Sequence, residues 1–272
     1  MYRPTLVLLL AVAVAGCQTT PTSTPKEPPP PPVPVIQPAQ PLRLQQQEVT
    51  PRQRAELHTE LAAGYYERGR LDVALEELGI SEKLDPTYPR IYNIYGLVYA
   101  MMNDLPKAEA NFKRSLELAP NDPETRHNWG WYLCTHGRAK ESLAEFEVAI
   151  RNPLYRTPEI ALVNAGKCSA AIGDAHNAEL YFRRALQLRP NDLSAAYNLA
   201  LVLYKGGRMP ESRNLMKSVM QETNPPPEAL YLGMCIERKL GDASSEQSYV
   251  AQLRNRYPDS PEARAIPSGT CQ

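Results

Sequence analysis

The sequence of 272 residues has no excess of charge of either sign. Lys plus Arg and Asp plus Glu number 30 each, so the formal net charge is zero. A protein that binds DNA or RNA through its phosphates needs a basic face or segment. The charge balance therefore indicates no nucleic-acid partner. With 43% hydrophobic residues, the chain can still bury a sizeable core.

Recognisable catalytic motifs are also missing. The sequence contains no phosphate-binding glycine loop, no GxSxG elbow and no HExxH. Its four histidines, His58, His127, His136 and His176, are scattered along the chain. Cys134 lies two residues from His136, so on a helix the pair would point to different faces. We therefore expect no enzyme, no metal site, no cofactor and no small-molecule substrate.

Long hydrophobic runs are missing too, with one exception at the N-terminus. Leu6 to Ala15 is an uninterrupted apolar run that follows the positive charge of Arg3. It is too short for a permanent membrane-spanning helix, and it is typical of a secretory signal peptide. We predict a lipoprotein signal peptide at residues 1–16.

The end of this run predicts a lipid anchor. Val14-Ala15-Gly16-Cys17 resembles the lipobox of bacterial lipoproteins, in which the cysteine is lipidated and becomes the mature N-terminus. The alternative is an ordinary cleavage site with a chance cysteine nearby. Gln18 follows instead of Asp, which by resemblance to lipoproteins of diderm bacteria favours the outer membrane. We therefore expect lipidation of Cys17 and an outer-membrane location facing the periplasm, with the acyl chains as the membrane contact.

Residues 17–50 have the composition of a tether. Pro21 to Pro41 is mostly Pro, Thr and Gln, and Pro28 to Pro32 is unbroken proline. Such a segment cannot bury a core, and it favours an extended polyproline II conformation that rises about 3.1 Å per residue. We predict a disordered spacer. A ligand for a proline-binding domain is the alternative.

The rest of the chain is repetitive. The segment AEANFKRSLELAP at 108–120 returns as AELYFRRALQLRP at 178–190. Pro86, Pro120 and Pro190 each close such a helical segment, and counting back from them gives units of about 34 residues, the period of the tetratricopeptide repeat. The sequence predicts an all-α, right-handed superhelix of about six repeats in a domain at 51–260. The repeats lie near residues 55–88, 89–122, 123–158, 159–192, 193–226 and 227–260.

Small residues recur at fixed positions within each unit. Gly or Ala at the eighth position, as at Gly96 and Gly166, lets the two helices of a unit approach closely, and Gly near the fifteenth position permits the turn between them. Two departures stand out. The segment 151–158 is two residues longer than the period requires, which predicts a wider loop. The unit at 227–260 loses the Ala pattern and is more polar, as in a cap. Residues 261–272 are expected to form a short tail.

Four cysteines remain beside Cys17, an even number in an oxidising compartment. Cys134 and Cys168 lie late in the first helices of two successive repeats, which stack side by side. We predict a disulfide between them. A second disulfide between Cys235 and Cys271 is a weaker expectation, and free thiols are the alternative for both pairs.

The first helix of each repeat lines the inner side of such a superhelix. Its inward positions carry more apolar and aromatic residues than a solvated face requires, which indicates a groove for a peptide or helix. These residues are Tyr66, Asn93, Leu97, Trp131, Val163, Tyr197, Leu201 and Tyr204, with Met101 adjacent. Packing against neighbouring helices is the alternative for any one of them.

Asparagine occupies the sixth position in three successive repeats, at Asn128, Asn164 and Asn198. In tetratricopeptide domains this asparagine often binds the backbone of a ligand, and the amide group suits that role. A structural bond within its own repeat is equally open.

The arrangement of lipobox, proline-rich tether and about six repeats, with Trp129-Gly130-Trp131-Tyr132-Leu133-Cys134 and Asn164-Ala165-Gly166-Lys167-Cys168, resembles the PilF/PilW pilotin family of type IV pilus biogenesis lipoproteins. The resemblance implies an outer-membrane lipoprotein that binds the pilus secretin and promotes its localisation and multimerisation. It also implies a secretin-binding surface in the early repeats, near Tyr66, Asn93, Leu97 and Met101. A lipoprotein scaffold for another envelope assembly, or for peptidoglycan enzymes, is the alternative.

Overall fold

The computed structural model describes residues 49–269 and residue 271. The predicted signal peptide, the lipidation site at Cys17 and almost all of the tether lie outside this range, so these remain predictions. The described part of the chain is helical and contains no strand. It folds as one compact unit of paired helices.

Six antiparallel helix pairs follow one another along the chain, each pair forming one repeat. The helices are α1 (Pro51–Glu67), α2 (Leu71–Leu84), α3 (Pro89–Met101), α4 (Leu105–Leu118), α5 (Pro123–Thr135), α6 (Ala139–Arg151), α7 (Pro158–Ala171), α8 (Ala175–Leu188), α9 (Leu193–Lys205), α10 (Met209–Met220), α11 (Pro227–Leu240) and α12 (Ala243–Arg256). A short helix α13 (Pro261–Ala265) and a 3₁₀ turn (Ile266–Ser268) end the described chain.

Each turn inside a pair contains one residue with positive φ. Five are glycines and the sixth is Asn103 (φ 61°), since asparagine tolerates this left-handed conformation better than most residues. The positions are Gly69, Asn103, Gly137, Gly173, Gly207 and Gly241. They lie 34 residues apart, except that 36 separate Gly137 from Gly173. The predicted two-residue insertion is thereby confirmed, and the sixth repeat is in register with the fifth.

The three phenylalanines of the chain all fill the space inside helix pairs. Phe112, Phe146 and Phe182 are fully buried, and each packs against the glycine at the eighth position of its repeat. A Cβ atom added to Gly96 would lie 2.7 Å from the Phe112 ring, and one added to Gly166 would lie 2.6 Å from the Phe182 ring. Glycine is therefore required there for close approach, as the sequence predicts.

The odd-numbered helix of each repeat packs against both helices of the preceding repeat. From α1 to α11, each odd-numbered helix contacts the next odd-numbered one, whereas the described residues show no comparable contact between successive even-numbered helices. The odd-numbered helices therefore form the inner side of the stack and the even-numbered helices the outer side. The predicted all-α tetratricopeptide solenoid is confirmed.

Arginines at two of the turns connect neighbouring repeats. Arg138 pairs with Glu109 of the preceding repeat at 2.9 Å and with Glu141 at 2.7 Å. In the fifth repeat, Arg208 likewise pairs with Glu179 of the preceding repeat and with Glu211 of its own. All are partly exposed, so each contributes little stability by itself.

Residues 261–269 and Cys271, which we call the strap, pack against the last two repeats. After α12 the chain turns back, and α13 packs against α11 and α12. Ile266 is buried in the core of the last two repeats, and Cys271 packs at its edge. The strap therefore covers part of the surface of the sixth repeat.

Candidate protein-binding groove

Most of the residues predicted to line the groove keep accessible side chains. Met101 is 53% exposed and Trp131 38% exposed, and the others are partly exposed. The accessible members of the predicted set are Tyr66, Leu97, Met101, Asn128, Trp131, Asn164, Tyr197, Asn198 and Leu201.

Three predicted groove residues are instead buried, so the expectation that they face a ligand is not supported. Asn93 is 2% exposed and accepts a hydrogen bond from Asn128. Val163 packs into the core between the fourth and fifth repeats. Tyr204 packs against the sixth repeat and donates a hydrogen bond to the backbone carbonyl of Cys271 at 3.1 Å. At these inward positions, contact with the neighbouring repeat or the strap has taken the side chain out of solvent.

The three asparagines at the sixth position do not behave alike. Asn128 donates to Asn93 Oδ1 of the preceding repeat at 3.0 Å. Asn164 Nδ2 lies 2.8 Å from His127 Nε2, also in the preceding repeat. Asn198 donates to the Ser194 carbonyl of its own helix at 2.7 Å. Two of the three therefore join neighbouring repeats, a role that the sequence did not indicate.

His127 lies at the centre of a partly buried polar cluster beneath the widened loop. Its Nε2 accepts from the Asn164 amide, so the neutral ring carries its proton on Nδ1 and donates it to the Tyr155 hydroxyl oxygen, 2.5 Å away. Burial lowers the pKa of His127 to about 4 and raises the pKa of Tyr155 to about 12. Both side chains are therefore neutral near pH 7, and the cluster is structural.

Two disulfides join the predicted cysteine pairs. Cys134 of α5 is bonded to Cys168 of α7, with their Cα atoms 5.9 Å apart. Cys235 of α11 is bonded to Cys271 in the strap, with a Cα separation of 5.5 Å. The first bond joins the repeats on either side of the widened loop.

An exposed apolar surface at the N-terminal end of the stack was not predicted. Leu57 and Leu61 of α1 are 61% and 50% exposed. Residues at the position of Leu57 in the later repeats are fully buried, namely Ile91, Thr125, Ala161, Ala195 and Ala229. Thr125 shows why, because its hydroxyl lies 3.0 Å from that of Ser115 in the preceding repeat. The stacking pattern itself, extended to the first repeat, could have revealed this surface.

Three adjoining cavities follow the inner side of the last three repeats, with volumes of about 350, 380 and 210 Å³. Asn198 lines the first two, and Tyr197 and Glu228 line the second and third. Leu201 lines the first and the third. The predicted residues of α9 therefore do border accessible space.

Within residues 49–269 and 271, no group of three His, Cys, Asp or Glu side chains could hold a metal ion. No helix in the same part of the chain is both long and apolar enough to span a bilayer.

Two family models, both for the tetratricopeptide repeat, match residues 59–123 and 170–232. Together with the six helix pairs and their regular turns, they define the fold of the described chain as a tetratricopeptide repeat solenoid. Among individual proteins, it is 24% identical over 260 residues to the Type IV pilus assembly protein PilF of Pseudomonas aeruginosa, which covers 96% of both chains.

Solved structures give the same relationship. A crystal structure of PilW, a widely conserved type IV pilus biogenesis factor, is 29% identical, with a TM-score of 0.71, and the match covers 78% of this chain and 97% of PilW. A structure of Pseudomonas aeruginosa PilF is 22% identical, with a TM-score of 0.75 over 81% of this chain and 99% of that one, a likeness of fold. The resemblance to type IV pilus tetratricopeptide proteins is confirmed.

Proposed function

We propose that the protein acts in type IV pilus biogenesis as a lipid-anchored scaffold of the outer membrane that binds the pilus secretin from the periplasmic side. The observation that carries the proposal is the similarity to a pilus assembly protein over 96% of both chains, which includes the region outside the repeats. On this proposal, lipidated Cys17 anchors the protein, and the repeats bind the secretin and support its multimerisation.

The surface that we assign to the secretin lies in the first three repeats. Tyr66, Leu97, Met101 and Trp131 are accessible on α1, α3 and α5, three consecutive inner helices. Met102, at the end of α3, is 48% exposed and adds to this surface. Accessible aromatic and methionine side chains on one face are typical of protein-binding surfaces. An amphipathic helix or extended segment of the secretin would bury them.

The test combines an anchor variant and a groove variant in pilus-forming cells. Cys17→Ala should leave the secretin mislocalised and poor in multimers. Met101→Asp should reduce the amount of secretin recovered with the protein after crosslinking of cell envelopes, because an introduced carboxylate must be desolvated at the interface. Leu97→Asp should act similarly, but Leu97 also packs against two core clusters, so circular dichroism must show that this variant stays folded.

Leu188→Asp is the matched control, since Leu188 is 58% exposed on the outer helix α8. It should recover as much secretin as the wild type. Normal secretin multimers in the Cys17→Ala strain would contradict the anchor, and equal recovery by Met101→Asp and wild type would contradict the assigned surface. Recovery of outer-membrane assembly factors or peptidoglycan hydrolases in place of secretin would replace the proposal with the alternative scaffold.

A further inference from the structure

The last two repeats and the strap border an open pocket that the proposed secretin surface does not use. It lies between α9 and α11, and Glu262 of α13 closes one side. Its volume is about 210 Å³. The strap therefore contributes one carboxylate, Glu262, to a pocket that is otherwise formed by α9 and α11.

The walls of this pocket are aromatic and aliphatic. The partly exposed side chains of Tyr197 and Leu201 line it from α9, and the buried side chains of Tyr204 and Leu232 also border it. Tyrosine rings and leucine side chains accept the methylene stem of a long side chain, and the face of a tyrosine ring attracts a cation.

Two carboxylates border the same space without a cation. Glu228 begins α11 and Glu262 lies in α13, and neither forms an ion pair with any described residue. Burial is the main reason why the pKa of Tyr197 is raised, and the negative charges of Glu228 and Glu262 raise it further. Both carboxylates therefore act on the same aromatic ring, and the local potential is negative.

The cations nearby do not neutralise these two carboxylates. Arg238 donates to Glu246 at 2.8 Å and to the carbonyl of Gly269 at 3.2 Å, so its charge is already paired. Lys167 lines the neighbouring cavity together with Glu228, but the two do not form an ion pair in the described structure. The negative end of the pocket is therefore open to an external cation.

The neighbouring cavities indicate the shape of the ligand. Because Tyr197, Asn198, Leu201 and Glu228 are shared between cavities, the accessible space runs along the inner side from α7 to α11. An extended peptide fits such a row of adjoining cavities better than a compact ligand does.

From this geometry we propose that the inner surface of the fourth to sixth repeats binds an extended peptide segment that carries an arginine or lysine between apolar side chains. The basic side chain enters the pocket between α9 and α11 and lies between Glu228 and Glu262. The flanking apolar side chains occupy the two cavities beside α9. This surface is separate from the one assigned to the secretin. The proposal therefore does not depend on a role of the chain in pilus biogenesis.

The probe for the test is a library of random dodecapeptides displayed on phage and selected against the full chain. Selection should enrich peptides in which arginine or lysine is flanked by apolar residues. A labelled copy of an enriched peptide should bind Glu228→Gln/Glu262→Gln about tenfold more weakly than wild type. This loss is at the low end of the range for hydrogen bonds to charged groups, because the site is partly open to water. Raising the salt concentration should weaken wild-type binding in the same direction.

Two control variants separate this site from other effects. Glu76→Gln removes an exposed carboxylate on the outer helix α2 and should leave binding unchanged. Met101→Asp alters the surface assigned to the secretin and should also leave it unchanged, so the two proposals fail independently. The proposal is overturned if no peptide is enriched, if the enriched peptides lack basic residues, or if a folded Glu228→Gln/Glu262→Gln variant binds as well as wild type.

Discussion

Single residues set the distance between the two helices of each repeat. Gly96, Gly130 and Gly166 have phenylalanine rings where a side chain would otherwise begin. Gly64 offers a contrast, because no atom lies within 4 Å of the position where its Cβ would be. The same residue type is thus a packing requirement in one helix and a source of flexibility in another.

Gly166→Ala should lower the free energy of unfolding by about 1–3 kcal/mol, since the new methyl group overlaps the buried Phe182 ring. Gly64→Ala should raise it by up to about 1 kcal/mol, because alanine restricts the unfolded chain and clashes with nothing. Urea denaturation of both variants checks the difference. Equal midpoints for Gly166→Ala and the wild type would show that the helices can separate without cost.

His127 makes stability depend on pH. Burial lowers the pKa of His127 to about 4 in the folded protein, whereas the unfolded chain binds the proton with a pKa of about 6.5. The contribution of neutral His127 to the free energy of unfolding is therefore complete above pH 6.5, and it is lost as the pH falls towards 4. Between pH 7 and pH 4, the free energy of unfolding of the wild type should fall by about 2–3 kcal/mol more than that of His127→Gln, because the variant lacks this titrating group. Urea denaturation at several pH values measures both slopes, and parallel slopes would contradict the buried neutral imidazole.

The sequence could predict these residues only in part. The eighth-position glycines follow from the repeat pattern, because close approach within a helix pair is a local requirement. The burial of Asn93 does not, because it depends on how far one repeat is rotated on the next. From the sequence alone, the Asn93 amide group could bind a ligand or a neighbouring asparagine equally well. In the structure its partner is Asn128.

At the scale of helices, the disulfide between α5 and α7 compensates for the widened loop. Residues 152–157 separate α6 from α7, and Tyr155 from this loop packs over His127. The longer connection leaves more freedom between the third and fourth repeats. The bond from Cys134 to Cys168 removes that freedom by fixing the two inner helices directly.

Replacing both cysteines of this bond, as Cys134→Ala/Cys168→Ala, should lower the free energy of unfolding by about 3–4 kcal/mol, since the bond closes a loop of 34 residues in the unfolded chain. Thermal and urea denaturation measure the loss. Cys235→Ala/Cys271→Ala is the matched control, with a separation of 36 residues. It should cost less, because the strap can detach while the repeats stay folded. A thiol count of four in the denatured, unreduced mature chain would contradict both bonds.

Helix boundaries were largely predictable, because proline and aspartate mark them. Proline opens α3, α5 and α7, and aspartate side chains cap α4 and α8. Helix α13 was not predictable. Five residues give no periodic pattern, and their position depends on the burial of Ile266 and on the distant Cys235.

The whole molecule has two unlike ends. At the C-terminal end, α12 presents Ser244, Gln247 and Ser248 to solvent and buries Leu253. At the other end, Leu57 and Leu61 are exposed on α1. The number and order of repeats followed from the period of the sequence. The pocket of the fifth and sixth repeats could not be predicted from this period, because Glu228 and Glu262 belong to segments that meet only after the strap has folded back.

Both disulfides lie between residues 134 and 271, and this has a mechanical consequence. A pulling force applied through the two ends of the repeat domain meets no covalent link in α1 to α4, which can unravel turn by turn. The residues between two bonded cysteines cannot be stretched by this force. For a loop of 34 residues, this reduces the maximum extension of the chain by about 110 Å. The first two repeats, and the segment between Cys168 and Cys235, therefore remain extensible, whereas the two disulfide-closed segments do not.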